Sequence, residues 1–129
     1  MKMNKKILIA AALVLLVAAG VIFIVLKNSC DISKIDTSSM ILFYGSGCPH
    51  CEVVDEYIKT NNVGEKIQFV KKEAFYNKCN AKLMLSLQEK CALSSDLIGS
   101  VPFLWNGENS ACFVGSQDII NFFKAKLGK

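Results

Sequence analysis

The chain has 129 residues, six cysteines, one histidine and a formal charge of +4, and its hydrophobic share of 52% is inflated by one N-terminal run. That length leaves room for one small domain beside a targeting segment. Lys2, Lys5, Lys6 and Lys27 account for the whole excess of charge, the remainder carries eleven lysines against eleven acidic residues, and arginine is absent. Such a composition does not suit phosphate, and nucleic acid is excluded as an expected partner.

Ile7 to Leu26 is an unbroken run of 20 apolar or small residues without charge. As a helix it would span about 30 Å, one hydrocarbon thickness. A cleavable signal peptide has a shorter apolar region ending at small residues. Here the run continues past Ala18-Ala19-Gly20 to Leu26, which favours a retained anchor over cleavage. Lipidation at Cys30 is disfavoured by Lys27 just before it. The lysine bias puts residues 1–6 in the cytoplasm, 7–26 in the membrane, and a polar tether (27–39) and a domain (40–129) outside. All six cysteines then face a compartment where disulfides persist.

Met40 to Tyr44 is a short apolar run bounded by Gly45-Ser46-Gly47, the pattern of a buried strand. Pro49 suits the first position of a helix carrying Val53, Val54, Tyr57 and Ile58, stopped by Asn61-Asn62 and Gly64. Ile67 to Val70 reads as a second strand and Ala81 to Cys91 as a second helix, with Leu83, Met84, Leu87 and Cys91 on one face. Val101 to Trp105 and Ala111 to Val114 form a hairpin around Asn106-Gly107. A last helix follows Gly115, capped by Ser116, with Asp118 in its first turn and Ile119, Ile120, Phe122, Phe123 and Leu127 on its apolar side. The order is βαβαββα, without repeats.

The chemistry concentrates at Cys48-Pro49-His50-Cys51, where strand, turn and helix meet. Unpaired N–H groups and the dipole of the helix stabilise a thiolate on the first cysteine, the species that attacks disulfides. Cys48 is therefore the expected nucleophile, and Cys51, one turn in and more buried, the expected resolving thiol. His50 can further favour the Cys48 thiolate; its structural alternative is a solvated residue in the first turn.

The stretch Phe43-Tyr44-Gly45-Ser46-Gly47-Cys48-Pro49-His50-Cys51, with Ser100-Val101-Pro102-Phe103 downstream, resembles the thioredoxin superfamily over roughly Ile41 to Leu127. The resemblance implies an α/β, thioredoxin-like fold: a mixed four-stranded sheet with helices on both faces, here behind one transmembrane helix. It implies that Pro102 is cis and faces Cys48, and that Val101 offers its backbone to an extended substrate. The Cys-Pro-His-Cys choice and the valine before the proline are similar to DsbA-type disulfide oxidases. The chain lacks their inserted helical domain, lacks the Trp-Ala-x-Trp approach of thioredoxin, and has no acidic residue within Met40–Tyr44. Its minimal length is closer to a glutaredoxin, and Gly115-Ser116-Gln117-Asp118 partly resembles the stretch with which glutaredoxins hold a glutathione carboxylate, although an ordinary helix cap has the same look.

Cys91 and Cys112 could form a structural disulfide or remain two buried thiols, and Cys30 could pair with Cys79, stay free or join two chains. No metal site is expected. A c-type haem would need histidine where Glu52 stands, and no second close Cys or His pair supports zinc. Glu52 and Lys59 are expected in solvent, and Phe43, Phe69, Phe103 and Trp105 in the core.

The expected activity is thiol-disulfide exchange on cysteine-containing exported proteins, cycled by an unidentified redox partner and needing no cofactor beyond the Cys48-Cys51 pair. The alternatives are a tethered reductase or glutathione-linked thiol transferase, with glutathione as co-substrate, and a peptide-binding module with inert cysteines.

Overall fold

The structure is a computed structural model that describes residues 4–27 and 30–129. Lys2, in the lysine bias, and Asn28 and Ser29, in the tether, lie outside the described residues. The chain divides into two compact units, Met1–Asp31 and Ile32–Lys129.

The first unit contains one helix, α1 (Lys5–Lys27). Its apolar side chains from Ile7 to Val25 are exposed rather than packed. It is long and apolar enough to cross a bilayer.

The second unit is a mixed α/β structure built on strands β1 (Met40–Tyr44), β2 (Val70–Glu73), β3 (Phe103–Asn106) and β4 (Ala111–Val114). They lie in the order β2-β1-β3-β4, with β1 parallel to β2 and antiparallel to β3, and β3 antiparallel to β4. Helices α2 (Pro49–Thr60), α3 (Val63–Lys66), α4 (Lys78–Lys90) and α5 (Ser116–Lys126) complete it.

Strand alternation divides the core into two layers. Ile41, Phe43, Phe103 and Trp105 turn toward α4, where Leu83, Met84 and Leu87 cover them. Met40, Leu42 and Leu104 turn the other way, onto Val54 of α2, Val63 of α3, and Ile119 and Phe123 of α5. Because both faces of the two central strands are covered, they read as continuous apolar runs rather than alternating ones. Phe43 and Phe103 stack across the β1–β3 pairing at 5.8 Å, and Phe69 meets Phe123 at 5.5 Å.

Several boundaries differ from the sequence expectation. The compact unit begins at Ile32 rather than Met40: a helical turn at Ile32–Lys34 leads into a segment whose Ile32 and Ile35 pack on the α4 layer. Trp105 Nε1 donates to the Thr37 carbonyl at 2.8 Å, so this segment is held by a partner distant in sequence and carries no periodicity of its own. β2 occupies Val70–Glu73, not Ile67–Val70. Ile67 and Phe69 pack against the second layer as a lead-in, while the hydrogen-bonded edge strand itself is polar. The third strand begins at Phe103 rather than Val101. Ser116 does not cap α5; Gly115 occupies that position and supplies no side chain. Val53 faces solvent, because the buried stripe of α2 runs through Cys51 and Val54.

Candidate functional site: the Cys48–Cys51 turn and the Val101–Pro102 segment

β1 lies between two other strands and ends at Tyr44, so the turn that follows is anchored by the most buried part of the sheet. Gly47 takes φ +75, a left-handed conformation that a side chain would disfavour. Gly45 is needed for a different reason, since a Cβ there would overlap the Phe75 ring. The Cys48 N–H donates to the Gly45 carbonyl at 3.2 Å and closes the turn.

Cys48 is the N-cap of α2, with extended backbone, and Pro49 follows in the first turn, where its missing N–H costs nothing. The backbone N–H of Cys51 donates to the Cys48 sulfur at 3.4 Å. The sulfur thus takes the part that a serine or aspartate oxygen plays in an ordinary cap, the position where a helix N-terminus holds an anion. Cys48 and Cys51 are both free thiols, 8% and 4% exposed. Burial pushes the Cys51 thiol up to about 12, helped by its hydrogen bond with Cys48 and by the charges of Cys48 and Asp55, and only partly offset by the Gly45 backbone. Asp55, one turn further along α2, is paired with Lys71 at 2.6 Å.

The Val101–Pro102 peptide bond is cis. The Val101 carbonyl oxygen stands 3.9 Å from the Cys48 sulfur, and Pro102 is buried. A groove of about 400 Å³ lies alongside, lined by His50, Leu97, Val101, Pro102, Gly115 and Ser116 among others. Pro49, His50 and Glu52 are exposed, as is Lys59 at the far end of α2. The fold therefore gathers Cys48, Cys51, His50, Val101 and Pro102 at one place.

Cys91 and Cys112 form a disulfide apart from the free pair, with Cα atoms 6.2 Å apart, joining the C-cap of α4 to β4. Cys30 and Cys79 are each disulfide-bonded. Among the described residues no three His, Cys, Asp or Glu side chains cluster as metal ligands would.

Two residues at the site escape sequence reasoning. Glu73, opposite Tyr44 at the end of β2, accepts from Phe75 N at 2.9 Å and Ser46 N at 3.3 Å on one oxygen, and from Tyr76 N at 3.0 Å and Asn77 N at 3.1 Å on the other. Desolvation opposes its ionisation, but these backbone donors outweigh it and hold the carboxyl below its ordinary value. Asp55 is the second; its spacing of four from Cys51 was the available signal, since residues four apart share a helix face. No protein-family model, curated protein or solved structure matches this chain.

Proposed function

We propose that the chain is a membrane-anchored, thioredoxin-like thiol-disulfide oxidoreductase acting outside the cytoplasm on exported proteins that contain cysteines. The observation that carries this reading is the Cys48 sulfur, which accepts the Cys51 N–H at a helix start while standing 3.9 Å from the Val101 carbonyl. One sulfur thus has an anion-holding amide, a second thiol one turn away, and an open backbone segment beside it. The β1–α2–β2 and β3–β4–α5 order around a mixed sheet supports the family resemblance.

In the donor direction, a client thiolate attacks Cys48 in the Cys48–Cys51 disulfide. The Cys48–Cys51 bond breaks, a client–Cys48 bond forms, and Cys51 leaves and takes up a proton. A second client thiolate then attacks the client sulfur of the mixed disulfide and expels Cys48 as a thiolate. The client is oxidised by two electrons, the protein becomes the dithiol, and a separate redox partner reoxidises it. The high proton affinity of Cys51 makes it a poor leaving group on its own, so proton delivery to its sulfur assists the first step. The apolar helix α1, with Lys5 and Lys6 ahead of the apolar run, supports anchoring with the catalytic domain outside.

The groove around Pro102 supports a second reading of the same chemistry. Gly115, Ser116 and Gln117 line it at the start of α5, where no side chain caps the helix, and glutathione is the co-substrate such a groove suits. The reduction potential of the Cys48–Cys51 pair in a glutathione buffer separates the readings. A value near about −120 mV, as in DsbA, supports a disulfide donor, and one near about −270 mV, as in thioredoxin, supports a reductase. A pair that does not equilibrate with glutathione at all would leave a peptide-binding module with inert cysteines.

A further inference from the structure

Gln88 of α4 has no solvent exposure and is buried on the same helix as Leu83, Met84 and Leu87 of the apolar layer. A leucine or methionine would fill that volume without a polar group to satisfy. The amide instead makes two hydrogen bonds to a single stretch of chain: its oxygen accepts the Gly99 N–H at 2.7 Å and its nitrogen donates to the Ser100 carbonyl at 3.0 Å. That stretch immediately precedes Val101.

The far side of Val101 is pinned as well, by the Gly115 N–H donating to the Pro102 carbonyl at 2.9 Å. Val101 therefore sits between two braced neighbours. Its carbonyl faces the Cys48 sulfur at 3.9 Å, and among the described residues its N–H has no hydrogen-bond partner. The two braces come from α4 and from the residue after β4, elements that the Cys91–Cys112 disulfide joins.

We propose that Gln88 is a positioning residue for client capture. By fixing Gly99 and Ser100 it holds the peptide groups of Val101 at the distance from Cys48 where an extended client segment can pair with them while its cysteine meets the sulfur. This rests on the oxidoreductase reading above. Gln88 touches no reacting atom, and its effect passes through the backbone of residues 99–101.

The test uses the full chain in detergent micelles with Cys48 and Cys51 reduced, and two probes read by released thionitrobenzoate. One is a cysteine-containing peptide capped with that group, and the other is the small symmetrical disulfide of the reagent, which has no backbone for Val101 to hold. Gln88→Leu should slow the peptide reaction about tenfold and leave the small-disulfide reaction within about twofold of wild type. Leu83→Ala, a cavity in the same layer with no bond to the loop, should leave the ratio of the two rates unchanged. A Gln88→Leu ratio equal to that of wild type, or a Leu83→Ala ratio shifted as far, would overturn the positioning role. If Gln88→Leu does not fold, wild-type amide exchange decides: Gly99 should exchange as slowly as the amides of α4, and exchange at the free-peptide rate would overturn the brace. A wild-type protein inert to both probes would instead overturn the oxidoreductase reading, and the inference with it.

Discussion

The Cys48 sulfur and the Val101 carbonyl oxygen lie 3.9 Å apart although 53 positions separate them in the chain. Cys48 reaches this point from the end of β1, and Val101 from the loop that enters β3. The antiparallel pairing of these strands, with Phe43 opposite Phe103, brings the two ends together. A thiol at a helix start and the backbone beside a cis proline thus meet at one end of the two central strands.

The roles proposed for the two thiols predict different outcomes for their variants. Cys48→Ala should abolish exchange with a cysteine-containing peptide, lowering the rate at least about a hundredfold. Cys51→Ala should still attack a disulfide-bonded peptide through Cys48, releasing one peptide thiol, and accumulate the resulting mixed disulfide, visible as a covalent adduct on a non-reducing gel. Accumulation on the Cys48→Ala variant instead would reverse the assignment.

The buried Cys51 thiol makes the dithiol form sensitive to alkali. Burial and the hydrogen bond with Cys48 push it up to about 12 from an ordinary 9.0, so the folded state holds this proton more tightly than the unfolded chain. The resulting stability is fully present below pH 9.0 and is lost as pH rises toward about 12. Denaturation midpoints of the dithiol protein should fall more steeply across that window than those of Cys51→Ala or of the Cys48–Cys51 disulfide form. Parallel curves would contradict the burial account.

The Cys91–Cys112 bridge closes a separation of 21 residues, for which the chain-entropy relation gives roughly 3 kcal/mol. The double variant Cys91→Ser with Cys112→Ser should lose about that much in denaturant unfolding while keeping most of its exchange activity. Loss of activity without loss of stability would mean that the bridge takes part in electron transfer.

Glu73 ties Ser46, in the turn before Cys48, to the loop at Phe75–Asn77. Its carboxyl is held below the ordinary value of 4.5, so the stability it contributes is present above pH 4.5 and is lost as pH falls through the depressed value. Glu73→Ala should lower the unfolding midpoint at neutral pH more than Glu73→Gln, which retains one acceptor. Both should flatten the acid limb of the stability curve, and an unchanged acid limb would show that the clamp is not ionised.

Local signals made much of the architecture legible before any tertiary structure. Glycine and proline around Cys48 mark the turn and the helix start, and Asn106-Gly107 marks the hairpin. Gly107 also carries a meaning its neighbours in sequence do not reveal, because a Cβ there would overlap the backbone at Thr37 and Ser38. The segment from Ile32 to Ser39 and the strand Val70–Glu73 were illegible for one reason. Their order comes from partners elsewhere in the chain, and neither has an apolar period of its own.

The sequence by itself determined that one apolar helix precedes an α/β unit and that two thiols meet at a helix start, since hydrophobic periodicity and turn chemistry act within a few residues. Only the tertiary structure decided that Val101 faces Cys48, that Cys91 bonds Cys112, and that Gln88 and Glu73 brace the two loops at the site. Each of these contacts joins residues from different elements, and their encounter depends on strand order and on which face each strand turns to which helix. Those are properties of the packed sheet, and no short stretch of the chain encodes them.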